Sequence, residues 1–259
     1  MSECMQVRHL SKHYARGGKH VIAVDHVSFT IRQGECVGLV GESGSGKSTL
    51  VRLLLALEHP DQGEILFQDM SLTRTNRRVL RQLRQHIQVV FQDSTASLND
   101  RLPVWRSVLE PLDNYAHVIP VFFRGVVLSR REQAERLLNI VGLAREHMDR
   151  YPHELSGGQR QRVCIARGIS LCPQLLICDE PTSSLDVTTQ SQILRLLQSL
   201  RRQLNMSVLF ISHDLAAVAQ LCHRMLVMQQ GRIVDACKVD ELWLAERHPY
   251  TKVLVSAAR

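Results

Sequence analysis

The chain has 259 residues, 44% of them hydrophobic and 22% charged, enough to bury one large α/β domain or two lobes sharing a core. It holds no uncharged apolar stretch of ~18 residues, and the start, MSECMQVRHL, lacks the apolar run of a signal peptide, so neither a membrane span nor export is expected. The net charge of +7 admits an anionic partner, but only 5% of residues are aromatic and no basic run is interleaved with rings, which argues against a nucleic-acid surface. The seven cysteines, at positions 4, 36, 164, 172, 178, 222 and 237, show no metal-finger spacing and read as buried, reduced thiols.

Taken in chain order, VIAVDHVSFTI (21–31) alternates apolar and polar positions and predicts antiparallel strands near the N-terminus. GECVGLVG (34–41) is almost wholly apolar and ends in glycine, as a parallel strand buried on both faces does. A glycine-rich turn follows, and STLVRLLLALE then has helical spacing. From about 93 to 160 no strand run occurs, and patterns such as SRREQAERLLNIVGL predict a helical lobe inserted in the sheet domain. Within it, VIPVFFRGVVL (118–128) admits two readings, lobe core or docking surface, and core is expected. PQLLICDEP (173–181) and SVLFISH (207–213) predict buried strands, with a helix over TTQSQILRLLQSLRRQL between them. Strand, helix, strand alternation implies a parallel sheet with helical crossovers.

The chemistry concentrates in a few segments. Gly41-Glu-Ser-Gly-Ser-Gly-Lys47-Ser48 fits the phosphate-loop pattern between a buried strand and a helix, where glycines let backbone N–H groups aim at phosphate oxygens. Lys47 is expected on the β and γ phosphates and Ser48 on Mg²⁺. LLICDE brings Asp179 to a strand end, where it can hold Mg²⁺ through water, and sets Glu180 beside the γ-phosphate to orient a water molecule, so hydrolysis is the expected reaction.

Leu155-Ser-Gly-Gly-Gln159, followed by RQRVCIAR, resembles the signature of ATP-binding-cassette proteins. The resemblance runs across nearly the whole chain and implies a P-loop NTPase fold: a RecA-like parallel core over 1–92 and 161–259, an N-terminal antiparallel β-subdomain, and a helical subdomain over 93–160. It implies ATP and Mg²⁺, with Gly41, Ser43, Gly44, Ser45, Gly46, Lys47, Ser48 and Thr49 of one protomer facing Ser156, Gly157, Gly158 and Gln159 of another across each nucleotide. Tyr14 in SKHY resembles the aromatic residue that stacks on adenine. Gln92 in VVFQD resembles the glutamine that reaches Mg²⁺ and the attacking water, Asp186 in SSLD the aspartate that communicates across the dimer, and His213 in ISHD the histidine at the γ-phosphate.

FQDSTASLNDRLPVWRSVLEPL (91–112) and HPYTKVLVSAAR (248–259) resemble segments of importers of peptides and nickel, although Ser94 and Asp100 replace the usual prolines. The short end after HPYT leans toward the nickel branch, with peptide import as the alternative; an exporter subunit or a soluble cassette acting on DNA repair or translation is a more distant one. The scatter of the 12 histidines argues against cargo binding by this chain itself. The implied partners are a second ATP-binding subunit, a paralogue, together with two membrane-spanning permease subunits and, indirectly, a substrate-binding protein, with no nucleic acid. The implied place is the cytoplasmic face of a bacterial inner membrane, held peripherally.

Overall fold

A computed structural model describes residues 2–16, 19–244 and 246–257. Two long strands, β1 (Glu3–Arg16) and β2 (Lys19–Arg32), pair antiparallel. Their apolar residues sit inside: Met5, Val7 and Leu10 on one, Val24, Val27, Phe29 and Ile31 on the other, with polar neighbours turned out. β3 (Cys36–Val40), buried throughout, leads through the glycine loop into α1 (Lys47–Leu54). The chain then returns through β4 (Gln62–Phe67) and β5 (Met70–Ser71) before α2 (Arg77–Arg84) and β6 (Ile87–Val90).

Between β6 and the next strand come α3 (Val104–Asn114), α4 (Arg130–Ile140) and α5 (Gly157–Ile169), joined by short 3-10 turns and, among the described residues, no strand. α4 starts on a reciprocal cap in which Ser129 and Glu132 satisfy each other's backbone N–H groups. The second half runs β7 (Leu175–Asp179), α6 (Val187–Leu204), β8 (Ser207–Ile211), α7 (Leu215–Leu221), β9 (Arg224–Gln229), β10 (Arg232–Lys238) and α8 (Pro249–Ala257).

One sheet has four strands in the order β2-β1-β4-β5, the other six in the order β10-β9-β3-β8-β7-β6. In the larger sheet β9, β3, β8, β7 and β6 run parallel and β10 joins antiparallel at the edge. Alternate residues along its strands feed two cores. Cys36, Val40, Leu176, Cys178, Val208 and Phe210 face the helices. Val37, Leu39, Leu175, Ile177, Leu209 and Ile211 face α1 and the antiparallel sheet. That two-sided burial is why these strands read as unbroken apolar runs.

The α/β class, the parallel strands within 34–41, 173–181 and 207–213, and the N-terminal antiparallel strands all stand as expected. The expectation for 118–128 needs correction. Phe123 is buried, and Val118, Phe122 and Leu128 pack on the core, but Ile119, Val121, Val126 and Val127 are exposed. Pro120 and Gly125 interrupt the run, so it folds as a 3-10 turn (Val121–Phe123) between irregular segments that cannot bury both of their sides. All seven cysteines are free and, apart from the half-buried Cys172, buried. No helix among the described residues is long and apolar enough to cross a membrane.

Candidate nucleotide site

The parallel strands β3, β7 and β8 end side by side, so the loops after them share one edge of the sheet. After β3, Gly41 to Gly46 form the glycine loop. Gly46 caps α1 with φ 110°, and a Cβ there would fall 2.2 Å from the carbonyl oxygen of Ala23, so no other residue fits. Lys47, 7% exposed, folds back so that its Nζ donates to the carbonyls of Gly41 (2.7 Å) and Glu42 (2.9 Å). Burial pulls its ammonium below the ordinary lysine range, against the opposing pull of Glu180 and Asp179.

After β7, Asp179 is pushed above the usual carboxylate range, first by burial and then by Glu180, with Lys47 acting the other way. Glu180 has φ 45°, the left-handed region that non-glycine residues rarely enter, and its N–H donates to Ile211 O at 2.9 Å. This sharp turn brings its carboxylate to the end of β8. There Glu180 Oε2 accepts from Gln92 Nε2 at 3.1 Å and lies 3.2 Å from His213 Nδ1. Gln92 arrives from the loop after β6 and His213 from the loop after β8, so residues 88 and 33 positions from Glu180 converge on one oxygen. With its amide N–H turned to Glu180, Gln92 keeps its carbonyl oxygen for another partner.

These groups surround a cleft of about 500 Å³, lined by Ser43, Gly44, Gly46, Lys47, Ser48, Thr49, Gln92, Glu180 and His213, with Val21, Ile22 and Ala23 of β2 along one wall. One observation fits an occupant lying against the loop: at Gly44 the space a Cβ would take is empty for 4 Å. The hydroxyl of Ser48, the Gln92 carbonyl and the Asp179 carboxylate are hard oxygen donors of the kind Mg²⁺ takes.

Tyr14 is not among the lining residues. It stands on β1 opposite Val21, its hydroxyl donates to Glu58 Oε2, and Lys12 Nζ lies 5.7 Å from its ring centroid. The signature residues lie outside this cleft, beside a neighbouring groove. Ser156 caps α5, accepting from Gln159 N–H at 3.3 Å while Gln159 Oε1 accepts from Ser156 N–H at 2.9 Å. Gly158 lets α5 approach α6, since a Cβ there would meet Thr189 Cγ2 at 2.5 Å. Gly157 opens onto a groove of about 520 Å³ shared with Gln92, Asp93, Arg160, Ser183 and Ser184. Asp186 caps α6, accepting from the backbone N–H (2.9 Å) and hydroxyl (2.6 Å) of Thr189. Sequence reasoning missed Val21, Ile22 and Ala23; alternation marks them as strand, but only the β1–β2 pairing decides that they border the cleft.

A glycine phosphate loop, a paired strand-end carboxylate and a capped glycine signature on one mixed-sheet fold define an ATP-binding cassette. The ABC transporter family matches residues 24–183, and the chain belongs to that family and is an ATPase. It is 41% identical over 254 residues to the oligopeptide transport ATP-binding protein OppF of Bacillus subtilis, covering 98% of this chain and 81% of that one. It is 45% identical over 243 residues to the glutathione import ATP-binding protein GsiA of Pectobacterium atrosepticum, covering 92% of this chain and 37% of that longer one. Among solved structures it resembles the ATP-binding cassette MJ0796, a dimeric post-hydrolysis state bound to ADP and Pi, with TM-score 0.80 and 28% identity over 91% of this chain and 98% of that one.

Proposed function

We propose that this chain is the ATP-hydrolysing subunit of a membrane importer of peptides, acting as one of two cassettes beneath two permease subunits. The observation that carries the choice of cargo is the identity above 40%, over nearly the whole chain, to relatives named for oligopeptide and glutathione transport. Identity to peptide-transport relatives spread over 98% of the chain favours peptide import over the nickel branch.

In this reading the loop N–H groups and Lys47 hold the triphosphate, Lys47 exchanging its two carbonyl partners for phosphate oxygens. Glu180 takes a proton from the attacking water as the oxygen bonds to the γ-phosphorus and the bond to the ADP oxygen breaks. Gln92 and His213 aim the Glu180 carboxylate, and His213, with its side chain 62% exposed, is free to meet the γ-phosphate. Ser48, Asp179 and Gln92 would hold Mg²⁺, which supplies charge neutralisation between the phosphates. Val21 and Ile22 line the cleft where the adenine would lie, and Tyr14, opposite Val21 on β1, stands next to that wall rather than in it. Because Ser156 to Gln159 sit outside the cleft, they serve the nucleotide of a second cassette, and Asp186 lies beside that junction. The helical lobe of 93–160 moves with closure, although α5 continues through residue 160 to Ile169. The place of action is the cytoplasmic face of a bacterial inner membrane.

Uptake of a labelled dipeptide and of labelled nickel, in cells whose sole copy carries Glu180→Gln, tests the cargo. Loss of dipeptide uptake alone is expected. Loss of nickel uptake alone restores the metal branch, and loss of neither rejects both.

A further inference from the structure

The glycine loop makes one contact that none of these roles uses. The backbone N–H of Glu42, its second residue, donates to the hydroxyl oxygen of Tyr250 at 3.0 Å, 208 positions away on α8. That N–H belongs to the same peptide group as the Gly41 carbonyl, which accepts from Lys47 Nζ at 2.7 Å. Tyr250 and Lys47 therefore hold opposite ends of one peptide plane. The plane also has a wall behind it, because the Gly41 α-carbon sits so close to β9 that a Cβ would fall 2.2 Å from the carbonyl oxygen of Met228.

Tyr250 is delivered by a pinned segment. Asp235 Oδ2, on the edge strand β10, accepts from the N–H of His248 at 3.0 Å and the hydroxyl of Thr251 at 2.8 Å. Arg247 Nη1 lies 3.6 Å from the other Asp235 oxygen, and Tyr250 N–H donates to His248 Nδ1 at 3.2 Å. Tyr250 is 8% exposed and Thr251 is fully buried, so the hydroxyl cannot swing away without moving the start of α8.

We propose that Tyr250 is a positioning residue of the nucleotide site: its hydroxyl fixes the Gly41–Glu42 peptide and so holds the glycine loop in its binding-ready conformation. The inference rests on the assignment of Gly41 to Ser48 as the phosphate loop. A loop ordered beforehand loses less freedom when the triphosphate arrives, which raises affinity. One effect opposes this: the bond to Tyr250 polarises the peptide and strengthens the carbonyl from which Lys47 must depart. Polarisation changes a bond by only roughly 10–30%, less than the restraint lost with a whole hydrogen bond, so affinity falls when the hydroxyl is removed.

The test uses the full chain, with binding of the fluorescent analogue mant-ATP, steady-state ATPase kinetics and thermal melting measured together. Tyr250→Phe keeps the ring and removes the hydroxyl. It is expected to raise the mant-ATP Kd and the KM for ATP about fivefold, with kcat essentially unchanged and the melting temperature lowered by no more than about 2–4 °C. Glu42→Pro removes the donor from the other side, and the double variant is expected to be no weaker than either single one. Unchanged affinity in Tyr250→Phe overturns the proposal, as does full additivity in the double variant or a loss of affinity accompanied by a fall in melting temperature well beyond that of one hydrogen bond. Lys47→Ala in the same assay separates the two levels. If it still binds mant-ATP normally, the phosphate-loop assignment fails, whatever Tyr250 does.

Discussion

Glu180 combines backbone strain with side-chain restraint. A φ of 45° at a non-glycine residue costs on the order of 1–2 kcal/mol, and it persists here because the Glu180 N–H is tied to Ile211 and the carboxylate is held between Gln92 and His213. The strain turns the chain off the end of β7 so that the carboxylate points across the sheet edge at the loop after β8, where an unstrained residue would follow the strand direction. A carboxylate so placed, with its partners arriving from two other loops, suits a base held in one fixed geometry. Glu180→Gln preserves the shape and the contact with Gln92 but cannot take the proton, and we expect kcat to fall by about 10²–10⁴ with mant-ATP affinity nearly unchanged. Normal turnover in that variant would remove Glu180 from the role of base.

Elements meet at Glu35, the last residue before β3. Its carboxylate accepts from Arg224 Nε at 2.7 Å, at the start of β9, and from the Arg32 N–H at 2.9 Å, at the end of β2, while Arg224 also donates to the Thr30 carbonyl. One side chain thus joins the antiparallel sheet to β9 of the larger sheet. Burial raises its pKa, but the Arg224 and Arg32 hydrogen bonds outweigh burial and hold it below the usual glutamate range. A carboxyl depressed in the folded state contributes stability above its unfolded pKa of about 4.3 and loses it as pH falls through the folded value. Glu35→Gln is therefore expected to cost about 1–3 kcal/mol at pH 7. The gap to the parent should close as pH drops below about 4, which thermal melts across that range would reveal. A gap independent of pH would mean that the charge is not what joins the sheets. The glycine loop, Asp179 and Glu180 were legible in the sequence because their chemistry is local: glycines, a lysine and a carboxylate pair at the ends of unbroken apolar strands. Contacts of long reach were not. Nothing in HPYT says which loop Tyr250 meets, and the apolar run at 118–128 reads as core because hydropathy does not register that Pro120 and Gly125 turn half of it outward.

At the scale of the molecule, the signature residues stand outside the phosphate cleft, in a neighbouring groove that shares only Gln92 with it, which in the proposed importer leaves them to serve the nucleotide of a second cassette. The outward half of 118–128 has the opposite character, a surface that ends in solvent. Val127 is fully exposed and Ile119 is 69% exposed. They border a cleft of about 520 Å³ floored by Leu112 and Phe123, with Asp113, Arg130 and Gln133 at its polar rim. The exposed Ile119, Val121, Val126 and Val127 beside this cleft form an apolar surface of the kind partners cover. In the proposed importer a permease subunit would cover this cleft, and closure of the cassettes would reach the membrane through it. Val127→Glu should leave the fold intact, since a fully exposed substitution usually costs within ±0.5 kcal/mol, but it buries an unpaired charge if a partner docks there, which is strongly unfavourable. The expected result is loss of dipeptide uptake and of co-purification with the permease, at unaltered mant-ATP affinity. Normal uptake in that variant would place the coupling surface elsewhere on the helical lobe and leave the apolar cleft without a part in transport.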